Sequence, residues 1–453
     1  MGVSMTNTTP TRRHLSVVHP DSAGIDIGSR EIWTAIRADA EGETVRKFGS
    51  FTDDLYLIRD WLIQEKVTTV AMESTGIYWI PLYDILSAAG IHVCLVNPRE
   101  LKQVPGRKSD LKDCQWLQEL HAFGLLRASF RPDDQGVLTR SFVRQRQELV
   151  DAAARHTQLI QKALIQMNIR LPEVVTDVTG KTGMLIIRDI LKGVRDPSIL
   201  ASHRDRRCKM DEATFGRAMV GTWRHEHLFA LKQAVATYDH LNQQICEVEH
   251  EIEVCLSKRN DKINGGSPVD SGPQRKHRNA SDFQYDIRDV LERKSGVDLT
   301  AIHGVSETTA SIVISEVGFD LGKFQTVGQF TSWIGLSPAH EISGGKVLKN
   351  GTKTTSNRVK RALRMAAMAA GRTKSSLGEF FRRIAGRAGK AVAITATARK
   401  MAVIMYRMLT TGCSYLPNGL PGQEEKRTAR KISGVIKMAE SLGLQVVVPS
   451  API

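Results

Sequence analysis

Four acidic residues give the first sign of chemistry: Asp26 in GIDIG, Glu73 in MESTG, and Asp110 with Asp113 in KSDLKD. Asp26 stands between Ile25 and Ile27 in an alternating apolar stretch, so it reads as a carboxylate carried by a strand. A carboxylate in that setting is costly to desolvate unless it is paired, hydrogen-bonded or bound to a cation. Glu73 ends the β-branched run VTTVAME shortly before Gly76, which gives a second strand-borne acid. Asp110 and Asp113 follow Ser109, a residue able to cap a helix, and their spacing of three puts both on one helical face. Gathered at one point, such carboxylates repel and take up protons unless hard cations neutralise them, and an all-oxygen set of this kind suits magnesium. Two ions so held can activate the attacking oxygen and stabilise the leaving oxygen of a phosphodiester displacement. Taken singly, each acid reads first as a surface or strand-end carboxylate, and only the set of four together points to a metal site.

A second constellation lies in the C-terminal third. Ser343 is followed by Gly344, Gly345 and Lys346, placing a hydroxyl on a turn whose amides can approach phosphate, with a cation beside it. The helical stretch behind it carries Arg358, Lys360, Arg361 and Arg364, a candidate nucleic-acid-binding face. Arg107 and Lys108, in the loop before Asp110, are candidates for the same role. The plainer reading makes Ser343 a turn serine and the basic residues solvated charges.

The elements that must position these groups form an α/β pattern between residues 22 and 130. Strands are predicted at 24–37, 44–51, 67–73 and 91–96, with helices at 53–65, 80–89 and 110–125. Residues 140–258 read as helical, with apolar positions repeating every seven. One seam joins Leu149, His156 and Ala163 to Ala153, Ile160 and Met167, and a second runs from Leu231 to Cys255. They suggest a coiled-coil arm for oligomerisation or RNA binding, or the core of a helical bundle. Residues 259–290, rich in Gly, Ser, Pro and charge, read as a flexible linker. Residues 296–413 form a mostly helical domain whose segment 299–318 resembles a helix-hairpin-helix. Residues 1–21 read as a loose arm and 414–453 as a tail.

The bulk of the chain narrows the partners. Its 453 residues carry 63 Lys and Arg against 48 Asp and Glu, a net charge of +15 that favours a polyanion such as nucleic acid. No run of 18 apolar residues is present, so no transmembrane helix and no membrane partner are expected. Cys94, Cys114, Cys208, Cys246, Cys255 and Cys413 form no CxxC pair, which fits a reducing cytoplasm better than a zinc module or disulfide framework. The TGKTG stretch at 179–183 fails as a phosphate loop, because Val175 stands where the first glycine is required.

In order and spacing, GIDIG, MESTG, KSDLKD, GVSETTASIVISEVG, WIGLSP, SGGK and TATARK resemble the insertion sequence 110 family of bacterial transposases. The resemblance covers about residues 22–170 and 296–412. It implies a ribonuclease H-like domain of the Holliday-junction resolvase type, with Asp26, Glu73, Asp110 and Asp113 as a magnesium-binding DEDD set. It also implies a C-terminal transposase domain in which Ser343 attacks DNA to leave a phosphoserine link. A structured non-coding guide RNA, the bridge RNA, would direct the reaction. The composite sites would form within homodimers that pair into a homotetramer, for which the two seams are dimerisation candidates.

Three classes of function follow. The first is an RNA-guided DNA recombinase with a covalent serine intermediate. The second is a metal-dependent junction nuclease that needs the four acids and not Ser343. The third is a non-catalytic nucleic-acid-binding protein indifferent to all five residues.

Overall fold

The computed structural model describes residues 16–37, 43–74, 76–98, 110–262, 282–339, 341–344, 346–349 and 351–416, and scattered positions between 429 and 444. At 110–112, 341–343 and 346–349 it describes the backbone. The chain divides into two units, Met1–Arg131 and Pro132–Ile453.

The first unit is built on five strands: β1 Ser22–Ile27, β2 Ile32–Ala35, β3 Val45–Phe48, β4 Thr69–Glu73 and β5 His92–Val96. Their order is β3-β2-β1-β4-β5. β1, β2 and β3 pair antiparallel, whereas β4 runs parallel to β1 and β5 parallel to β4. This mixed α/β arrangement is consistent with a ribonuclease H-like fold. The strand expected over 24–37 is two strands, because the main chain reverses between Gly28 and Glu31, whose N–H and C=O bond at 2.9 Å.

Alternation along β1 sends its residues to opposite faces of the sheet. Ala23, Ile25 and Ile27 join the core formed with Ile58 and Leu62 of α1 (Thr52–Gln64) and Leu82 and Leu86 of α2 (Trp79–Ala88). The other face receives α3 (Asp110–Ala122), and the glycine at position 24 is what lets the helix settle there. A Cβ on Gly24 would stand 2.2 Å from the Cys114 carbonyl oxygen and 2.4 Å from the Gln118 nitrogen.

The second unit begins with two 33-residue helices, α4 (Asp134–Gln166) and, after the short helices α5 (Leu171–Val174), α6 (Lys181–Lys192), α7 (Pro197–Ser202) and α8 (Glu212–Ala218), α9 (His225–Ser257). The long pair is antiparallel: Arg259 bonds to Asp133 at 2.6 Å and Arg146 to Glu249 at 2.7 Å. Ala153, Ile160, Ala163 and Met167 of one seam are buried together with Leu231, Ala234, Tyr238, Leu241 and Ile245 of the other, in a cluster that α5–α8 complete. The seams therefore face each other and the short helices within one chain.

The linker expected over 259–290 also ends earlier than its composition suggests. Residues 263–281 lie outside the described residues. Phe283, however, is buried beneath the Arg146 guanidinium, 3.7 Å from its ring centroid, and the Gln284 amide donates to Glu249 at 2.8 Å. The aromatic residues within the polar stretch give it surface to bury, and α10 (Ile287–Ser295) follows directly.

Where the helix-hairpin-helix resemblance calls for a first helix, the backbone makes one 3-10 turn at Leu299–Ala301, capped by Asp298, before α11 (Glu307–Val317). The turn glycine, Gly304, packs against main chain: a Cβ there would stand 2.4 Å from the Ala366 carbonyl oxygen. The unit continues through α12 (Val327–Ile334), the hairpin β6 (Glu341–Ser343) and β7 (Lys346–Lys349), α13 (Arg358–Gly371), α14 (Ser376–Ala388) and α15 (Lys390–Thr411). Among the described residues no helix is long and apolar enough to cross a membrane.

Candidate active site

Asp26 and Glu73 end up side by side because of strand register. In the parallel pair β1–β4, Ile25 is opposite Met72, so the next residue on each strand is one of the two acids. Neighbouring strands lie about 4.8 Å apart. Both residues are half-buried at the carboxyl end of their strands.

The helix that carries the other two acids crosses β1 antiparallel. Gln118 Nε2 donates to Ser22 Oγ at 3.2 Å, and Cys114 lies against Gly24, two residues along the strand. Continuing by one more alternate residue on the strand and one more turn on the helix brings Asp26 level with the turn that holds Asp113 and opens at Asp110. Cys114 registers this convergence. Its thiol is pushed up to about 11 by burial first, and further by the charges of both Asp26 and Asp113. Asp110 occupies the first position of the helix, and its side chain lies outside the described residues. Among the described residues, no three His, Cys, Asp or Glu side chains stand close enough to hold an ion, a set from which Asp110 is missing. The available donors are carboxylate oxygens on two strands and one helix, which is the ligand chemistry of a hard divalent cation.

Several residues brace this edge of the sheet that the sequence reading did not single out. The Ser74 amide and hydroxyl both donate to the Val96 carbonyl at 3.0 Å, tying the chain beyond Glu73 to β5. At the opposite end of α3, His121 is buried, bonds to Thr69 Oγ1 at 2.9 Å and stacks on His19 with ring centroids 4.8 Å apart. Burial, then the neighbouring His19 and His92, push its imidazole down to about 4. Gly24 did leave a signal, two residues before the acid in a strand pattern, where glycine marks close approach of another backbone. His121 left none. Arg107 and Lys108 lie outside the described residues.

The serine hairpin belongs to the second unit. Ser343 and Lys346 are register partners across the turn, where Gly344 adopts φ +55°, a left-handed conformation natural to glycine. Their side chains lie outside the described residues. Closing the base of the hairpin, the Ala339 amide donates to the Gly351 carbonyl at 2.7 Å and Pro338 bridges to Thr352. Ser337, an alternative hydroxyl close by in sequence, shares a 2.9 Å hydrogen bond with Thr331 Oγ1.

The four basic residues proposed beyond the hairpin divide into two kinds. Lys360 Nζ donates to the Lys353 carbonyl at 2.7 Å, and burial, then Arg364, lowers its pKa. It anchors the loop that leaves the hairpin. Arg358 pairs with Glu148 at 3.2 Å. Arg361 and Arg364 are exposed.

Residues 23–169 match the family model of the DEDD transposase domain of the IS110 type, described as transposase, and residues 298–382 match the transposase model of the IS116/IS110/IS902 family. No curated protein matches the chain. The DEDD match points to dependence on a divalent metal, in keeping with the oxygen donors at the sheet edge. The two models follow one another in a single chain and together span half of it, so this protein belongs to the IS110 family of transposases, enzymes that act on DNA.

Proposed function

We propose that this transposase cuts and rejoins DNA through a phosphoserine intermediate, directed by a structured non-coding RNA. The observation that carries the catalytic half is the register of β1 and β4 beneath the antiparallel α3, which draws Asp26, Glu73 and the Asp110–Asp113 turn toward one edge. Magnesium bound to these four carboxylates would supply charge neutralisation at the scissile phosphate and acidify an attacking hydroxyl. The carboxylates would hold the cations and orient them, without themselves forming a covalent bond to DNA.

In the first step the Ser343 hydroxyl gives up its proton as its oxygen attacks phosphorus, the bond from phosphorus to one deoxyribose oxygen breaks, and that oxygen leaves as a hydroxyl on taking up a proton. In the second, a hydroxyl of the strand to be joined attacks the phosphoserine, which restores the Ser343 hydroxyl and the phosphodiester count. Lys346 is suited to offset phosphate charge during both. Since the acids and the serine belong to different units, the family's composite arrangement, with an acid domain and a serine domain from different subunits of a dimer or tetramer, is part of this reading. Pairing of the guide RNA with DNA would supply sequence choice, and the net charge of +15 suits the protein to hold both.

The test is direct. The protein is expressed beside its element and flanking non-coding DNA with a target plasmid, then denatured and examined for covalently attached DNA. An adduct that forms with wild type and disappears with Ser343→Ala or on chelation supports the proposal. Cut DNA without an adduct, unchanged by Ser343→Ala, would make the enzyme a junction nuclease.

A further inference from the structure

The outer face of α13 carries more than charge. Its inner face is Val359, Ala362, Leu363, Ala366, Ala367 and Ala370, all buried, and the small alanines let neighbouring helices approach closely. The opposite face presents Arg361, Arg364, Met365, Met368 and Arg372 to solvent, at spacings that keep them in one stripe over three turns. Met365 is 61% exposed and Met368 42%. No acidic residue occurs anywhere on this helix. Two long apolar side chains standing in water, with arginines at both ends, contribute nothing to the core. They form a small apolar island within a positive strip.

We infer that this stripe is a DNA-docking surface in which the arginines hold phosphates and Met365 with Met368 press on sugars and base edges between them. The occupant follows from charge and dimension. From Arg361 to Arg372 the helix rises about 16 Å at 1.5 Å per residue. That length covers roughly five phosphates of one strand, which advance about 3.4 Å each along the duplex axis. Unbranched methionine adapts to an irregular apolar surface, and apolar side chains among arginines recur where proteins part or bend base steps. The location fits as well. Lys360, one residue before Arg361, ties α13 to the loop of the Ser343 hairpin, so DNA lying along this face would be led toward that hairpin. The inference rests on the transposase reading for its choice of DNA, but its test needs no strand cleavage.

The experiment measures binding of the full-length protein to fluorescein-labelled duplex DNA by anisotropy over a series of salt concentrations, with single-stranded RNA of the same sequence and sedimentation velocity run alongside. Arg361→Gln and Arg364→Gln should each weaken DNA binding and lower the salt slope by about one, since each phosphate contact releases about one counterion. The double variant Met365→Ala/Met368→Ala should weaken DNA binding about tenfold and leave the salt slope unchanged, because it removes contact without charge. Unaltered DNA affinity in the methionine double variant overturns the inference. So does a loss confined to RNA, or a loss that appears as a change in sedimentation, which would mark the stripe as a surface for RNA or for another copy of the chain. Both methionines are exposed, so unchanged thermal melting serves as the folding control. Loss of the Ser343 adduct with this DNA-binding pattern intact would reject the proposed chemistry and leave the stripe standing.

Discussion

Gly24 of β1 lies against the main chain of Cys114 in α3, closer than any side chain would allow. This approach sets the height of the helix over the sheet, and with it the distance from Asp113 to Asp26. Gly24→Ala should therefore destabilise the first unit by about 1–3 kcal/mol, the usual cost of overpacking. It should also slow DNA cleavage by more than tenfold, because α3 must lift. Thermal unfolding and a cleavage time course report the two effects separately, and a variant that melts lower but cuts normally would show that α3 height is unimportant to the chemistry.

Neutralising one acid should stop the reaction without loosening the complex. Asp26→Asn and Asp113→Asn are expected to reduce strand cleavage at least a hundredfold while leaving nucleic-acid binding within a factor of two. Chelation should have the same effect on wild type, and added magnesium should reverse it. Normal recombination by either variant would rule out the metal assignment.

The His121 imidazole predicts a specific acid sensitivity. Its pKa is lowered on folding, from an ordinary 6.5 to about 4, so the unfolded chain takes up the proton first as pH falls. The stabilisation is fully present above about pH 6.5 and is lost between there and pH 4, amounting to about 3 kcal/mol if the whole shift is expressed. His121→Gln should retain a partner for Thr69 and abolish this component. Comparing the two melting curves between pH 7 and pH 4 isolates it, and parallel loss in both proteins would show that other groups govern the acid response.

Arg146 and Glu249 are each 2% exposed, and Glu249 also accepts the Gln284 amide. Arg146→Ala leaves a buried charge without its partner and should cost about 3–5 kcal/mol. Replacing both residues by Met and Leu should cost much less than the two single changes combined. Chemical denaturation of the four proteins in the cycle measures the coupling, and strictly additive losses would show that the pair is not a unit.

Lys360 is expected to act on the hairpin, not on nucleic acid. Lys360→Met keeps the aliphatic stem and removes the donor to Lys353. Formation of the Ser343 adduct should fall about tenfold, while DNA affinity and its salt slope stay as in wild type. A reduced salt slope would return Lys360 to the phosphate-contacting set.

What was legible in the sequence follows from the range of the forces involved. Period-two alternation around Ile25 and Ile27 is a local property, and it announced a strand-borne Asp26 without any knowledge of the fold. The reversal at Gly28 hid inside the same apolar stretch, since both strands keep the pattern on either side of it. The direction of α3 across β1 is set by Gln118 meeting Ser22, residues 96 positions apart, and no local pattern encodes it. For Lys360 the sequence displays the charge and conceals the partner, the Lys353 carbonyl. Phe283 and Tyr285, placed in a polar stretch, were submerged in a composition that says linker, while the ion pair that receives Phe283 is assembled from two distant helices.

The long antiparallel pair also gives the protein a timetable. Everything that closes the five-stranded sheet has been synthesised by residue 131, whereas Arg146 awaits a partner 103 positions later and Arg144 one that is 172 positions later, Glu316. At roughly 5–20 residues per second, the second interval lasts on the order of ten to thirty seconds. Until α9 has been made, the apolar seam of α4 lacks the helix that covers it. Synthesis thus makes the carboxylate edge well before the serine hairpin, so a message broken before residue 316 encodes the acids without the nucleophile.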